Sequence, residues 1–162
     1  MIKKQILDAI SMNSRRSTED LAAMLNTGTD TIEHEIKEME DNKVICGYPT
    51  LINWDRTDCE KVTALIEVKV TPQRDMGFNK VAERIYKFEE VESVYLMSGS
   101  FDLTVIIEGK SMKEVSRFVT EKLSTLEYIT STATYFVLQK YKEHGLIMTD
   151  EKHDSERMLI TP

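Results

Sequence analysis

The chain has 162 residues, 41% hydrophobic and 30% charged, with a net charge of −7 at neutral pH. These values suit one medium or two small globular domains and exclude a disordered chain. The negative balance argues against generic adhesion to nucleic acid or anionic membrane and leaves room only for a local basic patch.

The opening "MIKKQILDAI" places Ile2, Ile6, Leu7 and Ile10 at helical spacing. It has no extended apolar core and no small-residue cleavage site, so no signal peptide is read and a cytoplasmic location is expected. "NSRRS" breaks the pattern, and Ser17 opens a second helix with Asp20 in the capping-box position and Leu21, Ala22 and Leu25 inward. "NTGT" at 26–29 reads as a tight turn in which Gly28 is free to take positive φ. A third helix over 29–41 buries Ile32, Ile36 and Met39. Three short helices with a glycine turn before the third make a helix-turn-helix. "KVICGY" then reads as an extended exit segment, and Pro49 starts a linker. The lone cysteines Cys46 and Cys59 read as ordinary thiols rather than a disulfide or metal site.

The period then changes. "VTALIEVKV" (62–70) alternates as a strand; Gly77 precedes a helix carrying Phe78, Val81, Ala82, Ile85 and Tyr86; and "VESVYLM" (91–97) and "FDLTVIIE" (101–108) form a hairpin over a "GS" turn at 99–100. Ser111 with Glu114 caps a helix with Met112, Val115, Val119 and Leu123 inward, and 129–141 is a last long strand. The order β-α-β-β-α-β is the ferredoxin-like split unit. Its apolar residues occupy both parities of the hairpin strands, so both sheet faces want burial and an obligate homodimer is expected. The remaining residues, with His144 and His153, read as a tail of mixed charge, loosely ordered after about 148. The spans are 1–48 helix-turn-helix, 49–60 linker strand, 61–141 ferredoxin-like domain and 142–162 tail. No run is apolar and long enough to span a bilayer. No nucleophile–base pair, metal cluster or phosphate loop is found, so neither an enzyme nor a cofactor is expected.

"STEDLAAML", "KVICGYPTLINW" against a "GVIxGYxAxxx" pattern, "VESVYLMSGSFDLTVIIEG" against "VxxxyxvtGxyDyxxxv", and "STATYFVLQKY" together resemble the Lrp/AsnC (feast/famine) regulators in order and spacing. The resemblance implies an α+β chain, a winged-type helix-turn-helix followed by the βαββαβ effector domain. It also implies a DNA-binding transcriptional regulator whose dimers associate further into tetramers or octamers. A small effector, commonly an amino acid, would bind between C-terminal domains around Ser98, Gly99, Ser100, Phe101 and Asp102. Gly99 would admit a ligand to the backbone and Asp102 would accept an α-ammonium. Read alone, the same residues are a hairpin turn capped by Asp102. Thr132 and Thr134 share one side of the last strand as ordinary sheet hydroxyls, and Thr134 is carried with the effector candidates.

The third helix, "TDTIEHEIKEMED", carries Asp30, Glu33, Glu35, Glu38, Glu40 and Asp41 against Lys37 alone. Its projection at about 100° per residue sets Asp30, His34, Lys37 and Asp41 opposite the apolar stripe, flanked by Glu33 and Glu38. The family pattern "SxxxVxxRvkrLe" usually has Ser, Arg and Lys there. DNA contacts are therefore expected from Arg15, Arg16, Thr29, Thr31, His34, Lys37 and Lys43, in a region holding six Lys and Arg against nine Asp and Glu, a net −3. The alternative is a metabolite-sensing adaptor that has lost DNA and docks a protein through its acidic helix.

Overall fold

In the computed structural model, residues 2–71 and 77–149 are described. The chain divides into two compact units, 1–51 and 52–162.

The first unit is three helices, α1 (Ile2–Met12), α2 (Thr18–Leu25) and α3 (Thr29–Asp41). They close over Ile6, Leu21, Ala22, Ile32, Met39 and Ile45. Ser17 caps α2 as expected, its hydroxyl accepting the Asp20 N–H at 3.1 Å. The turn after α2 departs from expectation. Asn26, not Gly28, takes the left-handed conformation (φ 50°), while Gly28 is extended (φ −77°) and caps α3. Asparagine tolerates this region better than most side chains, and its N–H here closes on the Ala22 and Ala23 carbonyls.

The exit segment also differs. Val44 and Ile45 both donate to the Met39 carbonyl, at 2.8 and 3.1 Å. With those donors engaged in ending α3, "KVICGY" forms no strand, and 49–60 is irregular except for one 3₁₀ turn, Trp54–Arg56. A single strand has no ladder partner within such a unit, so it is not stabilised as one.

The second unit carries β1 (Val62–Val70), α4 (Gly77–Tyr86), β2 (Val91–Leu96), β3 (Leu103–Gly109), α5 (Met112–Phe118) and β4 (Ile129–Phe136). The antiparallel sheet order is β2-β3-β1-β4, the split βαββαβ arrangement. Register places Ala64, Ile66 and Val68 opposite Ile107, Val105 and Leu103. These six are essentially inaccessible and pack with Val81, Ile85, Val115, Phe118 and Leu123 of the helical layer.

The helix α5 widens into a π-helical turn, Val119–Leu123. Met112, expected inward, is 52% exposed, and Phe118 fills the core instead, edge-on to Phe88 with ring centres 5.5 Å apart. The last strand stops at Phe136 rather than 141, and a short hairpin follows, β5 (Lys142–Glu143) and β6 (Leu146–Ile147). His144 (φ 46°) and Gly145 (φ 84°) turn it, the pair of positive φ values a two-residue hairpin needs. His153 lies outside the described residues.

Among the described residues, no helix packs on the other sheet face. Leu65 and Ile106 are half-buried there, Tyr95 and Tyr135 are each about half exposed, and Thr104 is buried between Tyr95 and Glu67 in the register.

Candidate nucleic-acid interface and effector loop

The acidity of α3 resolves into two populations. Lys3 of α1 donates to Glu38 Oε1 at 2.7 Å and lies 3.5 Å from Glu35 Oε2. The hydrogen bond holds the Glu38 carboxyl below, and the Lys3 ammonium above, their ordinary pKa values. The Tyr48 hydroxyl donates to Glu40 Oε1 at 2.8 Å; partial burial and then the carboxylate push its pKa up to about 12. Three of the acids are thus engaged by α1 and the exit segment. Asp30, Thr31, Glu33, His34, Lys37 and Asp41 remain exposed on the outward side. Glu38, expected to flank that side, instead faces Lys3.

Of the remaining DNA candidates, Arg15 and Lys43 are exposed, and Thr29 is half-buried in the first turn of α3. Lys43 itself is left-handed (φ 58°) in the turn that ends α3. Arg16 folds back: its guanidinium donates to the Met24 thioether, and its Nε is buried without an acceptor. The pairings of Lys3 and Tyr48 with these acids were not legible: the first joins residues 35 apart in sequence, and the second depends on how the chain turns after α3.

In the second unit, Ser98–Phe101 form not a two-residue turn but part of a loop over 97–102, closed by the Met97 N–H donating to the Asp102 carbonyl at 2.8 Å. The loop is anchored to β1. The Asp102 N–H donates to the Val68 carbonyl at 3.0 Å, and its carboxylate Oδ2 accepts the Val70 N–H at 2.8 Å, where β1 shifts register against β4. One carboxylate oxygen of Asp102 is therefore engaged by backbone, and Asp102 is not free as a whole to take an ammonium. Ser98, Gly99 and Ser100 are exposed, and a Cβ added at Gly99 would meet nothing within 4 Å. Gly99 does not hold positive φ, so its openness, not its backbone freedom, marks the loop. Thr134 pairs with Ile66 and sits on the helix-covered side, separated from the loop by β1. The structure brings 98–102 together and leaves Thr134 apart. No group of three or more metal-ligating side chains occurs among the described residues.

A family model of the Lrp/AsnC ligand binding domain matches residues 63–147. The chain belongs to the Lrp/AsnC family of transcriptional regulators. This Lrp/AsnC chain is 47% identical over 159 residues to the HTH-type transcriptional regulator YugG of Bacillus subtilis (strain 168), covering 98% of this chain and 95% of the relative. Among solved structures, AsnC of E. coli matches with a TM-score of 0.66 at 20% identity, over 88% of this chain and 93% of that one. The regulator NMB0573 of Neisseria meningitidis, in complex with L-Met, matches with a TM-score of 0.69 at 21% identity, over 88% and 92%. These likenesses concern regulators rather than enzymes. No helix among the described residues is long and apolar enough to cross a membrane.

Proposed function

We propose that this regulator binds DNA through its first unit and answers to an amino acid held at the 97–102 loop, where the C-terminal units of a homodimer meet. The observation that carries it is the pairing of Glu35 and Glu38 with Lys3 and of Glu40 with Tyr48. It leaves the outward side of α3 far less acidic than its sequence. Asp30 sits in the first turn, where the helix dipole favours a carboxylate by roughly 0.3–1 kcal/mol. Glutamate can also accept from cytosine N4. The net −3 of the unit favours weak binding by one copy, which avidity in a dimer, or in a tetramer or octamer of such dimers, offsets. The relative in complex with L-Met supports an amino-acid effector, as does the unobstructed backbone at Gly99.

The same net charge favours, as a second reading, an adaptor that docks a basic protein through α3. Fluorescence anisotropy against duplexes tiled from the upstream region of its own gene separates the two, at two salt concentrations and with and without a mixture of amino acids. Tight binding to one duplex that falls steeply with salt is expected. No binding at about 50 mM salt, with or without amino acids, would instead select the adaptor.

A further inference from the structure

The second unit holds another concavity, at the far end of β3 from the effector loop; seven residues at about 3.3 Å each separate them by roughly 20 Å. A pocket of about 270 Å³ opens between residues 52–55, the start of β1, the end of β3 and residues 137–140. Its polar centre is Glu108. Lys61 Nζ lies 2.7 Å from one carboxylate oxygen and Lys140 Nζ 3.7 Å from the other, which Thr63 also approaches at 3.5 Å. Lys61 stands 4.3 Å above the ring of Trp54, and Lys140 is also paired with Glu143 at 3.2 Å. Beside this cluster lies hydrocarbon left in water: Leu138 is 91% exposed and Met112 52%, with Val62 and Val137 adjoining.

We propose that this pocket is a second small-molecule site, taking a zwitterion with an apolar side chain. Its volume falls just below the roughly 300–1,000 Å³ of drug-sized sites, which suits a molecule of amino-acid size and not a nucleotide. The charged lining residues Asp55, Lys61, Glu108 and Lys140 cancel, so neither an anion nor a cation is drawn in by net charge. A ligand carrying both signs exchanges ion pairs without leaving a charge unpaired: its carboxylate takes Lys61 or Lys140 and its ammonium takes Glu108. Its side chain then covers Leu138 and Met112, which gains burial of apolar surface. The site does not depend on the 97–102 loop.

Trp54 is the one tryptophan of the chain, so intrinsic fluorescence reports on this pocket directly. The full-length protein is titrated with L-leucine and L-methionine, and with isoamylamine and 4-methylpentanoate, which keep leucine's hydrocarbon but one charge each. A saturable change with an amino acid is expected, weaker by about tenfold or more for each singly charged analogue. Glu108→Gln keeps the side-chain shape and should weaken the amino acid by a similar factor, checked by calorimetry. If that variant unfolds, Lys140→Met, on the irregular segment after β4, gives the same reading. No fluorescence or heat response up to about 10 mM overturns the proposal, as does a response indifferent to Glu108 and Lys140. Binding that survives Glu108→Gln and is lost in Asp102→Ala belongs to the loop, which sinks the pocket and leaves the effector reading standing.

Discussion

At Asp102 a single carboxylate ties the loop of one hairpin to the bulged end of another strand. Removing it strands the Val70 N–H in a part-buried place, and an unmet buried donor costs about 1–3 kcal/mol. Asp102→Ala should lose that much stability in urea unfolding, whereas Asp102→Asn, whose amide oxygen still accepts, should stay within about 1 kcal/mol. A loss of effector response in Asp102→Ala but not Asp102→Asn would mean that anchoring the loop, not charge toward the ligand, is the residue's role. Tyr48 offers a pH test. Its folded pKa of about 12 exceeds the ordinary value of about 10, so its contribution is present in full below about pH 10 and is lost as pH rises through about 12. Tyr48→Phe should abolish that slope, and the tyrosinate absorbance titration should lose its latest step.

At the scale of elements, Gly109 joins β3 to α5 in a space that a methyl group would overfill. A Cβ there would meet Val115 Cγ2 at 3.1 Å and Glu114 Oε2 at 3.4 Å, and Glu114 also accepts the Lys110 N–H at 2.6 Å. Val115 is itself buried in the core and has little room to give, so Gly109→Ala should cost about 1–3 kcal/mol, read as a lower urea midpoint with unchanged slope. Nothing in the sequence singled out this glycine, because its constraint comes from a helix that turns back over it. The elements themselves were legible: the 29–41 helix and the 62–70 strand have the bounds that period and caps dictate. What failed was placement set by contacts between elements. Met112, in the first turn of α5, stays exposed, while Phe118 joins Val115, Val119 and Leu123 in the core. The final strand stops at Phe136, where its ladder partner runs out: Phe136 pairs with Ala64, two residues from the start of β1 at Val62, and alternation within 129–141 does not show where the neighbouring strand begins. A reversal between the two hairpin strands was legible, but its extent over 97–102 and the engagement of Asp102 by β1 required the sheet order, which no local pattern contains.

Over the whole molecule, two surfaces set behaviour that no single element shows. The sheet face opposite the helices carries Tyr95 and Tyr135 about half exposed beside the half-buried Leu65 and Ile106. Tyr95→Lys should abolish self-association, seen as monomeric mass in sedimentation, without disturbing the far-ultraviolet spectrum, since in the single chain that side chain supports little packing. DNA affinity should fall with it through lost avidity. The second surface is the outward side of α3. Lys3→Ala frees Glu35 and Glu38 and should weaken binding to every duplex alike by about twofold to fivefold, on the scale of exposed charge pairs. An unchanged anisotropy curve would mean those carboxylates stay clear of phosphate.

The Lys3 clasp also bears on how such a domain can drift over generations. As long as position 3 stays cationic, acids can accumulate at positions 35 and 38 with little cost to operator affinity. A survey ranking helices by their summed charge would discard this domain, and one ranking charges by azimuth around the axis would keep it.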